Sequence, residues 1–210
     1  MNPIFEFLFG QYSGYELNDV VLEVIAVIFG FISVWCSKEN NVFVFPTGII
    51  STVIFVYLLF KWELLGDMMI NAYYFIMSLY GWYVWTLKVD KLNVTPITRT
   101  VSKEKKVSTI IFLVTLLFVY LVYQFFDKWT SWVAYVDTIT TAIFFVGMWL
   151  MARRKLEHWL FWIVGDLISV PLYFYKGFTF TSLQYLGFTF IAIYGYIAWK
   201  KNINSNFRTA

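Results

Sequence analysis

Three side chains in one short run pose the chemical question. Trp159, Trp162 and Asp166, within WLFWIVGD, fall at i, i+3 and i+7, so two indoles and a carboxylate share one helical face. Asp137 and Thr141 stand one turn apart in DTITT, and two amides, Asn71 and Gln184, interrupt apolar runs elsewhere. An ionisable or amide group in such a setting is costly to bury unless something binds it, so these residues point to recognition. Indoles stack a flat ring and attract a cation on it by roughly 0.5–2 kcal/mol. Primary amides can read a carboxamide by paired donor and acceptor, and aspartate with threonine can hold sugar hydroxyls. A flat, cationic ring carrying a sugar fits these groups better than an inorganic ion or a lipid.

The elements that position these residues must lie in a membrane. Of 210 residues, 60% are hydrophobic, 23% aromatic and only 14% charged, far from the balance of a soluble domain. Seven windows are long and apolar enough to span a bilayer core: about 20–37, 42–60, 67–87, 109–126, 132–152, 159–175 and 179–199. Residues 1–19 have no basic start and no small-residue cleavage site; they read as an interfacial segment rather than a signal peptide. Thirteen lysines and arginines fall on one set of connections and three (Lys61, Lys128, Lys176) on the other. That bias puts the N-terminus outside and the C-terminus in the cytoplasm. It also accounts for the net charge of +3 as a topology signal, without a nucleic-acid partner.

The chain repeats itself. Tyr80, Gly81 and Trp85 recur as Tyr194, Gly195 and Trp199, and GIISTVIFVYLLFK (48–61) loosely matches VGDLISVPLYFYK (164–176). The reading is all-α: two parallel three-helix repeats, 20–87 and 132–199, joined by a connecting helix at 109–126. A basic cytoplasmic linker spans 88–108, and 200–210 form a cytoplasmic tail. Transporters bind substrate near the midplane between such repeats. Pro46 and Pro171 are expected to interrupt the second and sixth spans. Tyr80–Trp85 reads as an interfacial anchor, and His158 as a residue at headgroup level.

Other classes fit poorly. A retinal protein needs a lysine inside the seventh span, and none lies between Lys176 and Lys200. An intramembrane enzyme is not expected either, since the chain has one histidine and no serine–histidine arrangement at helical spacing. A single cysteine, Cys36, permits no disulfide framework.

GDMMINAYYFIMSLYGWYVW, DTITTAIFFVGMWLMARRKLEHWLFWIVGDLISVPLYFYKG and the closing YGYIAW resemble the bacterial nicotinamide riboside transporter family known as PnuC. The likeness covers about residues 20–200, and D-x-x-T-T, W-x-x-W and S-V-P-L-Y come in the family's order. The resemblance implies a three-one-three fold similar to the SWEET proteins, a homotrimer, no cofactor, and facilitated diffusion of nicotinamide riboside, trapped afterwards by cytoplasmic phosphorylation. On this reading Trp159 and Trp162 stack the ring, Asn71 and Gln184 read its amide, and Asp137, Thr141 and Asp166 hold the ribose or the charge. Where the family commonly has asparagine after W-x-x-W, this chain has Asp166, which either faces the cationic ring directly or is protonated and donates a hydrogen bond. The alternatives are a proton-coupled carrier, and a carrier of thiamine or riboflavin.

Overall fold

Long runs of aliphatic and aromatic residues without glycine–proline punctuation favour helices, whose backbone groups are satisfied within the segment. The computed structural model describes residues 16–62, 65–88, 95–127, 129, 131–176 and 179–206. Among them are seven helices and no strand: α1 Leu17–Lys38, α2 Val44–Lys61, α3 Leu65–Thr86, α4 Ser102–Phe125, α5 Trp132–Ala152, α6 His158–Tyr175 and α7 Thr179–Asn206. By length and composition α1, α2, α4 and α5 can each cross a membrane. In α3, α6 and α7, tyrosine and tryptophan together with Asn71, Asp166 and Gln184 lower the mean hydropathy. Large apolar side chains such as Ile110, Leu113, Val114 and Leu117 are exposed along α4, as a lipid-facing or partner-facing surface requires.

Two expected boundaries move. Helix α4 begins at Ser102 rather than 109, because Glu104 turns back to accept a hydrogen bond from the Val101 N–H at 3.0 Å and caps the first turn. Helix α7 runs on to Asn206, so most of the expected tail is helical. Most of the N-terminal interfacial segment (1–15), residues 89–94 of the linker and residues 207–210 lie outside the described residues. Pro46 does not break α2; it stands in the first turn, where a missing N–H costs nothing. Pro171 is inside α6.

Helices α1, α2 and α3 pack in succession, as do α5, α6 and α7; α3 meets α5 and α7 meets α1, which closes a ring of six. Helix α4 packs outside the ring on α5. The 114-residue offset reappears in detail. Helix α1 ends with Asn40 in the left-handed region (φ 56°) and α5 with Arg154 (φ 59°). In each case the next residue's N–H reaches back five positions, Asn41 to Cys36 O at 2.8 Å and Lys155 to Leu150 O at 3.0 Å. Trp85 donates its indole N–H to Met151 O at 3.1 Å, and Trp199 to Ser37 O at 3.0 Å. Phe45 lies on Gly81, and Trp159 on Gly195. Trp85 and Trp199 are thus buried cross-links between the halves, and only Trp82 and Tyr83 of the expected interfacial cluster are largely exposed.

Between α5 and α6 the chain forms a hub. The Arg154 guanidinium donates to Asn40 Oδ1 (3.0 and 2.7 Å) and to the Thr95 carbonyl, and it lies 4.6 Å from the Trp85 ring centre. Burial lowers its pKa to about 10, so the group stays charged at neutral pH. The linker is docked here: Thr98 N–H donates to Arg154 O at 3.1 Å, and Leu156 N–H to Thr98 O at 2.9 Å. Glu157 accepts from the Thr100 N–H and hydroxyl at 2.8 and 2.6 Å.

Candidate substrate site

Helix α6 presents Trp162, Asp166, Ser169 and Tyr173 at i, i+4, i+7 and i+11, one continuous face. Asp166 is 2% exposed and Ser169 1%. Among the described residues Asp166 has no side-chain hydrogen bond or ion pair, and the Ser169 hydroxyl has no partner. Tyr74 of α3, partly buried, lies within electrostatic reach of both Asp166 and Tyr173. Its ring meets the Trp162 indole edge-on at 6.3 Å.

The walls are aromatic on every side. Phe144 of α5 sits against Gly165, where a Cβ would come within 2.3 Å of its ring. It stacks on Trp162 at 5.4 Å and on Tyr185 of α7 at 6.0 Å. Tyr73 stacks on Phe145 at 3.9 Å and donates its hydroxyl to the Phe145 carbonyl at 3.0 Å. Tyr173 and Tyr185 meet at 5.1 Å. Helices α3, α5, α6 and α7 therefore bring a buried carboxylate and several flat rings together.

The expected pair of facing indoles is not formed. Trp159, 1% exposed, packs at the basic end, 4.3 Å from His158 and perpendicular to Trp199 at 5.8 Å. The single turn between Trp159 and Trp162 lets one indole close the helix end while the other faces inward. His158, at the start of α6 beside the basic turn, is likewise fully buried among these rings. Asn71 and Gln184 are both half-buried, on α3 and α7. Tyr74, Phe144, Tyr173 and Tyr185 escaped the sequence reading because aromatic residues are everywhere in this chain. The spacing of Ser169 and Tyr173 from Asp166 was the available signal.

Asp137 and Thr141 are at the end of α5 opposite the basic turn. Both Asp137 carboxylate oxygens accept from Lys176 Nζ, at 2.8 and 2.7 Å, and Thr141 donates its hydroxyl to the Asp137 carbonyl at 2.7 Å. The first half has a counterpart, Lys61 with Asp19 at 2.9 Å. Asp137→Asn and Lys176→Met are each expected to lower stability by about 1 kcal/mol, with the double variant costing no more than either. Thermal unfolding of the four proteins would check this, and additive losses would dissolve the pair.

The profile of the family described as nicotinamide mononucleotide transporter matches residues 20–201. The chain belongs to this family. Within it, the chain is similar to the nicotinamide riboside transporter PnuC of Escherichia coli (strain K12), at 23% identity over 89% of this chain and 87% of the relative. It is also similar to the riboflavin/roseoflavin transporter RibM of Streptomyces davaonensis, at 24% identity over 84% and 83%. A crystal structure of the vitamin B3 transporter PnuC superposes with a TM-score of 0.67 at 21% identity, covering 96% of this chain and 90% of that one. That likeness gives the fold of a multi-pass helical membrane protein over nearly the whole chain.

Proposed function

We propose that the protein carries nicotinamide riboside across the bacterial inner membrane by facilitated diffusion, binding it between two three-helix halves. The paired interactions at a 114-residue offset support parallel repeats joined by α4, in the SWEET manner. The bias of basic residues supports a cytoplasmic C-terminus. A homotrimer follows from the family resemblance. The observation that carries the reading is Asp166, buried without a hydrogen-bond or ion-pair partner among the described residues, one turn from Trp162 and within electrostatic reach of Tyr74. A carboxylate walled by rings suits a pyridinium, whose charge both the anion and the π faces attract. Trp162 stacks the ring, Asn71 and Gln184 read the carboxamide, and Thr141 beside Asp137 stands where the ribose enters. Trp159 closes the basic end beneath the site.

Titration calorimetry of the purified protein with nicotinamide riboside tests this. Micromolar or tighter binding is expected, weakened about tenfold in Trp162→Ala by loss of one stacking and cation–π contact. Absence of binding in the parent protein would remove the assignment. Similarity to RibM favours riboflavin as the second reading. Riboflavin is flat but uncharged, so tighter binding of riboflavin than of the riboside would keep transport and change the vitamin. Uptake into liposomes without a pH gradient separates passive transport from proton coupling.

A further inference from the structure

We propose that the groove at the basic end of α3 is a binding site for an anionic phospholipid. The groove holds about 370 Å³ and runs between Tyr83, Val84 and Leu87 on one wall and Pro96, Arg153 and Lys155 on the other. Its charge is unbalanced. Glu104 is the carboxylate paired with both cations, at 2.9 Å from Lys155 but only at 3.3 Å from Arg153. The Arg153 side chain remains 39% exposed, with one N–H on the Tyr80 hydroxyl at 3.2 Å. Lys88 and Arg99, exposed at the next positions after Leu87 and Thr98, add two more positive charges. An anionic oxygen between Arg153 and Lys155 would meet donors that one carboxylate leaves in excess.

A second feature selects a lipid over a soluble phosphate. Ile76, Leu79 and Tyr83 are exposed at i, i+3 and i+7 along α3, and Leu87, also exposed, follows directly after its end. They form an apolar track from the middle of the helix into the groove. A phosphate ion has no use for that track, whereas a phospholipid would lay an acyl chain on it with its headgroup among the cations. Basic pockets between helices at headgroup depth recognise acidic lipids by this combination.

Thermal unfolding of the full chain in mild detergent tests the site. Dioleoyl phosphatidylglycerol should raise Tm saturably, by about 3–6 °C at ten times its Kd. Dioleoyl phosphatidylcholine and inorganic phosphate should give less than half of that. Arg153→Gln should remove most of the rise, and so should Tyr83→Glu, which places an acid in the groove but leaves the Arg153–Glu104 pair untouched. Tyr83→Glu decides the matter if Arg153→Gln does not fold. The proposal is overturned if phosphatidylcholine matches phosphatidylglycerol, if phosphate alone reproduces the rise, or if Tyr83→Glu keeps it. It is also overturned if Tyr83→Glu only reduces the size of the assembly, because the track would then belong to a second copy of the chain.

Discussion

Replacing Asp166 with alanine is expected to weaken nicotinamide riboside binding by about 10- to 100-fold, the range for loss of one interaction made by a charged group. The same change should raise thermal stability. Asp166 is 2% exposed and without a hydrogen-bond or ion-pair partner among the described residues, so the empty protein carries a desolvation cost that alanine removes. A residue that only helps helices pack would move both quantities downward together. Asp166→Asn separates the two roles left open by the sequence. If the anion faces the pyridinium, asparagine binds as poorly as alanine. If a protonated acid donates a hydrogen bond, asparagine restores most of the affinity. Calorimetry and an unfolding curve on the three proteins give the answer, and parallel losses of affinity and stability would refute a substrate role.

The second large effect concerns the basic end. A Cβ at Gly195 would come within 2.5 Å of the Trp159 ring, closer than such atoms approach. Gly195→Ala is therefore expected to cost about 2–3 kcal/mol through forced repacking, seen as a fall in Tm of roughly 4–12 °C. Gly187→Ala, whose Cβ meets Phe31 at an ordinary 3.4 Å, serves as the control and should change little. In Gly195→Ala/Trp159→Ala the overlap is gone, so the double variant should be more stable than the sum of the single losses predicts. Additive losses would mean that Trp159 does not rest on Gly195. A large loss of riboside affinity in Trp159→Ala, with stability intact, would restore it to the substrate site.

How much of this was legible in the sequence depends on the kind of signal. Helix number followed from apolar run length, because a bilayer core sets that length physically. The 114-residue offset was legible at Tyr80, Gly81 and Trp85 because a ring approaches closely at both Gly81 and Gly195. Its further correspondences, Asn40 with Arg154 and Phe45 with Trp159, were hidden because the paired residues differ in type while sharing a backbone state or a packing role. Near Trp162, Asp166 stood out as a charge where none is cheap, and the four-residue spacing puts the two on one helical face. The fate of Trp159 was not legible, since a helical wheel groups residues by angle and says nothing about depth along the axis. The ion pair of Asp137 with Lys176 joins positions 39 apart, and no local pattern announces such a partner.

The cross-links between halves are unevenly placed along the molecule, and this bears on transport rates. Trp85 to Met151, Trp199 to Ser37 and Arg154 to Asn40 all lie at the basic end. At the opposite end the ion pairs of Lys61 and Lys176 stay within their own halves. Separating the halves at the basic end gives up these bonds, at about 1 kcal/mol each net of exchange with water; separating them at the other end leaves these three bonds intact. On the proposed function, an empty carrier linked in this way would rest open away from the basic end. For a passive carrier, detailed balance requires Vmax/KM to be the same for influx and efflux. A one-sided rest state therefore cannot rectify the flow: where return of the empty carrier limits turnover, it raises KM and Vmax together for entry from the open side and lowers both for exit. Direction must come from whatever consumes the substrate after it arrives.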